Sequence, residues 1–305
     1  MSKTILVITS SMDCTVDTII NKYSSIADFF RLNVDHFGDY RISIETELFV
    51  WKITDVKESR TISKFDICSI YYRKPMFPDL SEYSPSYHSM IQKDIICVIN
   101  GIADSFEGHV ISKPCLLREA ENKVNQLIFA IKHRWKIPVS FIGNNSTRQK
   151  KFAQKSIIKP LTTGKVYTDD GCELYQTNYF INRNEDISLT PIYLQNYIQK
   201  KFEVRITVIN NIFYTVRIDT KDKLDWRKDY ENHKYALIEC PEEIKNNCLE
   251  MLEYYNLKFG AFDYIVTPEN YWIFLELNAN GQWLWLEEAL KLDISKNLIN
   301  YLLGN

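Results

Sequence analysis

With 305 residues, 45% of them apolar, 25% charged and 13% aromatic, the chain has the make-up of a folded globular protein of roughly two or three domains, which excludes a disordered or fibrous one. Lys and Arg number 37 against 39 Asp and Glu, a formal net charge of -2, so no global positive field draws the chain to nucleic acid or anionic lipid, and any anion site must be local. Only 9 residues are glycine and none are spaced G-x-G-x-x-G, which excludes a dinucleotide-binding fingerprint.

Along the chain, Thr4 to Thr9 is a short apolar, β-branched run that reads as a buried parallel strand. Asp13 or Thr15 can cap a following helix, which the pattern carries to Phe30, and strand then helix opens an α/β unit. Strand-like runs follow at Phe30 to Val34, Arg41 to Ile44, Leu48 to Ile53 and Ile67 to Tyr72. From Tyr87 to Phe106 the spacing becomes helical, with Met90, Ile91, Ile95, Val98, Ile99 and Ile102 on one broad face. These elements make an N-terminal α/β domain over 1–115.

His109 to Pro114 reads as another strand, closed by Pro114. Arg118 to Trp135 alternates at three and four, predicting one helix with an apolar stripe of Val124, Leu127, Ile128 and Ile131. Short strands are predicted at Val139 to Phe141, Ser156 to Lys159, Lys165 to Tyr167 and Ile192 to Gln195. Two more, Glu203 to Ile209 and Ile212 to Ile218, join at Asn210-Asn211, a good hairpin turn. Pro241 to Tyr255 is helical; strands Gly260 to Val266 and Tyr271 to Asn278 flank a turn at Thr267 to Asn270; a last helix runs from Leu286 to Leu303. The expected division is a central subdomain over 116–190 and a C-terminal one over 191–305, packed together because no linker, repeat or low-complexity tract separates them.

Several chemistries lose support. The seven cysteines are scattered and never spaced C-x-x-C, which reads as reduced thiols in a cytoplasm. The five histidines show no metal-binding spacing, and there is no G-x-S-x-G elbow, so zinc hydrolysis and acyl-enzyme chemistry are disfavoured. The start of the chain is too short and polar-flanked for a signal peptide, and no apolar run reaches the ~18 residues of a membrane span.

The sharpest positive signal is the strand pair bearing Asp263 and the run Glu276-Leu277-Asn278. Alternation puts Glu276 and Asn278 on one face, and the turn at Thr267 to Asn270 can bring Asp263 opposite them. Carboxylate and amide oxygens suit a hard cation such as Mg²⁺, which keeps part of its coordination for substrate phosphates. The competing reading is an exposed polar face on an edge hairpin. A second, cationic group sets Lys159 at the end of an apolar strand before Pro160 and a hydroxyl-rich loop, Leu161 to Lys165, with Lys123 on its helix as another candidate. Taken singly, each lysine also reads as a solvated surface charge. Arg205 and Arg217 lie on adjacent hairpin strands and can aim at one anionic centre, or else form pairs with Glu203 and Asp219 on a solvated face.

In their order, a lysine-bearing helix, a lysine closing a strand, a polar-apolar hinge at Gln195-Asn196-Tyr197-Ile198, then Asp263 and Glu276-x-Asn278, the set resembles an ATP-grasp ligase. Three stretches more narrowly resemble the microviridin-type (graspetide) maturases: Tyr71-Tyr72-Arg73-Lys74-Pro75, Ala120 to Leu127, and Phe259 to Asp263 leading to Glu276 to Trp283. One departure is Ser112-Lys113-Pro114, where those enzymes often carry an Asn-Pro-type turn. The resemblance implies an α/β (α+β) ATP-grasp fold with an N-terminal α/β domain, a small central domain and a C-terminal antiparallel-sheet domain. It implies ATP and Mg²⁺, with Lys123 and Lys159 on the phosphates, Gln195, Asn196, Tyr197 and Ile198 at adenine, and Glu203 near the ribose. Arg205 and Arg217 would face the γ-phosphate or the substrate carboxylate, and Asp263, Glu276 and Asn278 would bind the metal.

The implied partner is a ribosomally made precursor peptide, met in the cytoplasm by an enzyme that is a candidate homodimer and needs neither nucleic acid nor membrane. The implied chemistry activates an Asp or Glu side chain as an acyl phosphate and joins it to a Ser/Thr hydroxyl or a Lys amine, with no covalent enzyme intermediate. Two other readings stay open: a ligase that adds a free amino acid to a peptide or protein carboxylate, and a non-enzymatic nucleotide- or peptide-binding module.

Overall fold

The computed structural model describes residues 4–48, 50–145, 152, 156–162, 177–181, 188–222, 224 and 233–305, and the backbone of 165–168 and 171–174. The first strand, β1 (Thr4–Thr9), is buried along its whole length, as a parallel strand covered on both faces must be. Helix α1 (Cys14–Tyr23) starts at Asp13, whose carboxylate accepts from the backbone N–H of Thr15 and Val16. It ends at Tyr23 and not at Phe30, because Asp28 to Asn33 is taken up as β2 beside β1.

A small antiparallel sheet of β3 (Tyr40–Glu45), β4 (Val50–Asp55) and β5 (Arg60–Ser63) follows. The chain then returns through β6 (Ile67–Tyr72), helix α2 (Pro85–Ser105) and β7 (His109–Ile111). Strands β2, β1, β6 and β7 form, in that order, a four-stranded parallel sheet. Helix α2 buries Ile95, Ile99 and Ile102 against it, while Met90 at the predicted apolar end is 54% exposed.

The single helix predicted from Arg118 to Trp135 is two. Pro114 opens α3 (Pro114–Ala120) instead of closing a strand, since a proline at the first helical position loses no hydrogen bond. Asn122 then caps α4 (Lys123–Lys132), accepting from Val124 N at 3.0 Å and Asn125 N at 3.2 Å. Of the predicted stripe on α4 only Leu127 is buried: Val124, Ile128 and Ile131 are exposed, and the helix turns Gln126, Phe129 and Ala130 inward beside Leu127.

A second antiparallel sheet combines β8 (Ser140–Gly143), β9 (Ser156–Lys159), β12 (Asn178–Tyr179) and β13 (Ile192–Asn196) in the order β12-β9-β13-β8, with the hairpin β10 (Lys165–Thr168) and β11 (Gly171–Leu174) between β9 and β12 in sequence.

The largest sheet has five antiparallel strands. It contains β14 (Phe202–Ile209), β15 (Ile212–Asp219), β16 (Lys234–Leu237), β17 (Phe259–Val266) and β18 (Trp272–Asn278), ordered β16-β15-β14-β17-β18. Asn210 and Asn211 both adopt positive φ, 44° and 68°, as a two-residue hairpin turn requires. One face of this sheet carries Val204, Ile206, Val208, Phe262 and Tyr264 against helix α5 (Glu242–Tyr254), which presents Ile244, Cys248, Met251 and Leu252. The other face is graded. Ile209, Tyr214, Val216 and Phe259 share an apolar cluster with Trp283 and the C-terminal helices, and the same face then turns ionic at Glu203, Arg205 and Asp263. The predicted final helix is also two, α6 (Leu284–Leu290) and α7 (Ile294–Leu302), divided where Lys291 takes a left-handed backbone, φ 55°.

Candidate functional site

A β-bulge organises the acidic hairpin. Counting back from the pair Val266 and Trp272, an unbroken ladder would set Asp263 opposite Leu275 and Glu276 opposite Phe262, on the core face. The register slips by one at Leu275, so that Asp263 pairs with Glu276 and Ala261 with Asn278. Asp263, Glu276 and Asn278 thereby share the ionic face. Asp263 is buried; its Oδ1 accepts from Arg205 Nη1 at 2.7 Å and its Oδ2 from Asn278 Nδ2 at 3.0 Å. Glu276 Oε2 stands 3.1 Å from Lys123 Nζ, which also donates to the carbonyl of Pro160 at 3.0 Å. Lys123 therefore ties the start of α4 both to β18 and to the end of β9.

These groups line one cleft of about 1420 Å³ between the four-stranded and five-stranded antiparallel sheets and the C-terminal end of the parallel one. Lys159, Gln195, Asn196, Tyr197, Ile198 and Glu203 line it too, from β9, from β13 with the segment after it, and from β14. Of the hydroxyl-rich loop, Leu161 and Thr162 reach the cleft, while Thr163, Gly164 and the Lys165 side chain lie outside the described residues. Glu203 is buried with its carboxylate 2.5 Å from Lys200 Nζ, so its partner is not Arg205.

Arg217 is the member that the fold does not bring in. The Asn210-Asn211 turn sets Arg205 opposite Val216 and Arg217 opposite Val204, which puts the two guanidinium groups on opposite faces. Arg217 instead makes two hydrogen bonds to Asp219, at 2.8 and 2.7 Å, and lies over the Phe202 ring. The anion centre expected of the two arginines is thus not formed by them.

Other cleft residues carried no assigned role in the sequence reading. Lys74 and Glu121 line the wall built by the parallel sheet and α3. Lys74 is exposed to the cleft as a residue, yet desolvation by the protein around its ammonium, followed by the charge of Arg73, lowers its pKa to about 8. The same crowding raises the Glu121 carboxyl, although the backbone N–H of Asn280 opposes the shift. Lys74 carries the signal that singled out Lys159, a lysine before proline at the end of an apolar strand.

Two carboxylates and an amide on one face suit a hard divalent cation, although among the described residues no group of three His, Cys, Asp or Glu gathers. Arg205 Nε and Gln195 Oε1 are buried in the cleft wall with no hydrogen-bond partner among the described residues, as expected where a polar ligand completes the set.

No protein-family model matches the sequence, and no curated protein matches it. Solved structures do match over the full length. The RiPP-associated ATP-grasp ligase of Chryseobacterium gregarium, in complex with ADP and a leader and core peptide, is 28% identical over 100% of this chain and 97% of its own, with a TM-score of 0.89. The macrocyclase MdnC of Microcystis aeruginosa MRC, bound with the precursor peptide MdnA, is 23% identical over 99% and 100%, also at 0.89. The macrocyclase MdnB of the same organism is 21% identical over 99% and 100%, at 0.81. With its parallel N-terminal sheet, its four-stranded and five-stranded antiparallel sheets and the cleft they enclose, this chain has the fold of the ATP-grasp ligases, in the form that these peptide-associated enzymes share.

Proposed function

We propose that the chain is an ADP-forming ATP-grasp ligase acting on a ribosomally made precursor peptide, in which it activates an Asp or Glu carboxylate and joins it to a Ser/Thr hydroxyl or Lys amine. The observation that carries this reading is the meeting of Asp263, Glu276, Asn278, Lys123 and Lys159 in one cleft, in a chain alike along its whole length to a ligase bound to ADP and peptide. Asp263, Glu276 and Asn278 would hold Mg²⁺, which supplies charge neutralisation to the phosphates when bound. Lys123, from the start of α4, and Lys159, from the end of β9, would grip phosphate oxygens, and Gln195 to Ile198 offer backbone groups to the adenine. Glu203 serves the ribose and Arg205 steadies both Asp263 and charge developing on the transferred group. Arg217 is left out of this arrangement because of its face. The division at 115 and 190 is proposed on the same footing, with the cleft at the meeting of the three parts.

The chain's reading as a peptide modifier is supported by the 28% identical ligase having been captured with leader and core peptide. The test is incubation with ATP, Mg²⁺ and the short Ser/Thr- and Asp/Glu-rich peptide encoded beside the gene. ADP release with loss of one water per bond is expected. A gain of one residue's mass would establish amino-acid ligation instead, and ADP release with no change to the peptide would defeat both.

A further inference from the structure

Among the described residues, five cations line the cleft: Lys74, Arg118, Lys123, Lys159 and Arg205. Lys123 is held by Glu276 and Arg205 by Asp263, while Lys159 comes from the far sheet and Arg118 lies on the exposed side of α3. Lys74 makes no hydrogen bond and no ion pair within 4 Å among the described residues, yet it stands within electrostatic reach of Arg205, Arg73, Asp13 and Glu121. A cation that lines the same cleft as the metal-candidate acids, with its donors unspent, is what an anionic substrate group would need.

The backbone around Lys74 is held firmly. Arg73, 1% exposed, places its guanidinium 3.0 Å from Asp13, donates to Thr15 Oγ1 at 3.2 Å and also donates to Gln282 Oε1. Its backbone N–H donates to the Ile8 carbonyl at 2.8 Å. Lys74 follows with a left-handed backbone, φ 45°, uncommon for a residue with a side chain, and Pro75 then restricts the chain beyond it. Such a conformation persists only where its surroundings enforce it. Here the enforced result is an ammonium presented to the cleft on the side of the parallel sheet.

Resting on the ligase reading above, we propose that Lys74 anchors the acidic side chain of the peptide, holding one carboxylate oxygen while the other is free to take the γ-phosphoryl group. In that step the free oxygen bonds to the γ-phosphorus, the bridging P–O bond breaks and its electron pair leaves with ADP. Lys74 bonds to the carboxylate throughout and exchanges no proton. The substrate-carboxylate part of the role expected of the pair Arg205 and Arg217 thereby passes to Lys74, since Arg217 faces away and Arg205 Nη1 is committed to Asp263, leaving Arg205 to the transferred group.

The test uses the whole enzyme and two peptides: the precursor that the wild type modifies, and the same peptide with its core Asp and Glu replaced by Asn and Gln. Kd is measured for both by fluorescence anisotropy in wild type, Lys74→Gln and Lys74→Arg. Wild type should prefer the acidic peptide, and Lys74→Gln should lose that preference, about tenfold to a hundredfold, the range expected for one hydrogen bond to a charged group. KM for the acidic peptide should rise in parallel, KM for ATP should stay within about twofold, and Lys74→Arg should recover most of the preference, because a guanidinium also grips carboxylate. Equal loss for both peptides would overturn the anchor. So would a Lys74→Arg enzyme that binds and consumes ATP normally but fails to close the bond, which would make Lys74 a proton acceptor. A wild type that neither consumes ATP nor binds either peptide would instead sink the ligase reading itself.

Discussion

The side-chain amide of Gln126 pairs with the backbone of Leu277 on both sides: its Oε1 accepts from Leu277 N at 2.8 Å, and its Nε2 donates to Leu277 O at 2.8 Å while also donating to Ala120 O at 2.6 Å. Leu277 lies between Glu276 and Asn278 on the outer strand of the five-stranded sheet, so Gln126 takes the place of a sixth strand at that point. It thereby fixes α4, and with it Lys123, against the acids that Lys123 must serve. This explains why a glutamine is buried while Val124, Ile128 and Ile131 on the same helix are not.

Replacing Gln126 by Leu leaves both Leu277 backbone groups without partners, each at about 1–3 kcal/mol. Urea denaturation should register a loss of at least about 2 kcal/mol. KM for ATP should rise along with it, as Lys123 loses its bearing. Unaltered stability would mean that water replaces the amide at no cost.

Glu276→Gln removes half of the carboxylate pair at a side chain only partly buried, so folding should survive while ADP formation drops by on the order of a hundredfold. Asp263→Asn is a harsher change: it strands the buried Arg205 guanidinium, and breaking such a pair costs about 3–5 kcal/mol. A thermal melt separates the two, with Glu276→Gln near wild type and Asp263→Asn clearly lower. Wild-type turnover in Glu276→Gln would remove that residue from the metal set.

Arg217→Ala tests the face assignment. Its partner Asp219 is on its own strand and both side chains are more than a third exposed, so the pair stabilises by less than about 1 kcal/mol. Turnover should stay within about twofold of wild type, in contrast to Arg205→Ala, on the scale of a single lost surface pair. A loss comparable to that of Arg205→Ala would bring Arg217 back to the reaction.

Gly281 packs where a side chain does not fit: an added Cβ would meet the Ala261 Cβ at 2.7 Å and the Asn278 Cβ at 3.1 Å. Gly281→Ala should therefore push Asn278 off its position and raise the Mg²⁺ concentration needed for half-maximal ADP release, with a smaller effect on KM for ATP. An unshifted Mg²⁺ dependence would argue that Asn278 does not ligate.

The pH dependence follows from Lys74, whose pKa is lowered from 10.5 to about 8 by the protein around it, then by Arg73, with Arg205 adding to the shift and Asp13 and Glu121 opposing it. Below about 8 the ammonium is present, so affinity for the acidic peptide should be greatest there and fall as pH rises through that value. A bound carboxylate raises the pKa of Lys74, so the complex should hold to higher pH than the free enzyme. For stability the sign is opposite: between about 8 and 10.5 the unfolded chain holds this proton and the folded one does not, so this lysine's contribution improves with pH. A ¹³C-labelled lysine titration, with Lys74→Gln to assign the signal, measures the midpoint directly.

Much of the architecture was legible one segment at a time. The buried run at Thr4 to Thr9, the turn at Asn210-Asn211 and the helix ending near Tyr255 follow from apolar spacing and turn chemistry, which act between residues close in the chain. The membership of the cleft was legible too, through the order of Lys123, Lys159, Gln195, Asp263, Glu276 and Asn278. Even the misplacement of Arg217 was readable in principle, since a two-residue turn determines which residues face each other.

What the sequence by itself determined is therefore the set of elements and the inventory of charged groups. Tertiary structure decided three further things. The slip at Leu275, without which Glu276 would face the core, depends on how β18 seats against β17. The inward turn of Gln126 depends on a strand edge some 150 residues away in sequence. The freedom of Lys74 depends on Arg73, Lys123 and Arg205 having found acids from other segments. Periodicity is a property of neighbours along the chain, whereas which cation meets which acid, and which is left over, is settled only when distant segments pack and water is excluded between them.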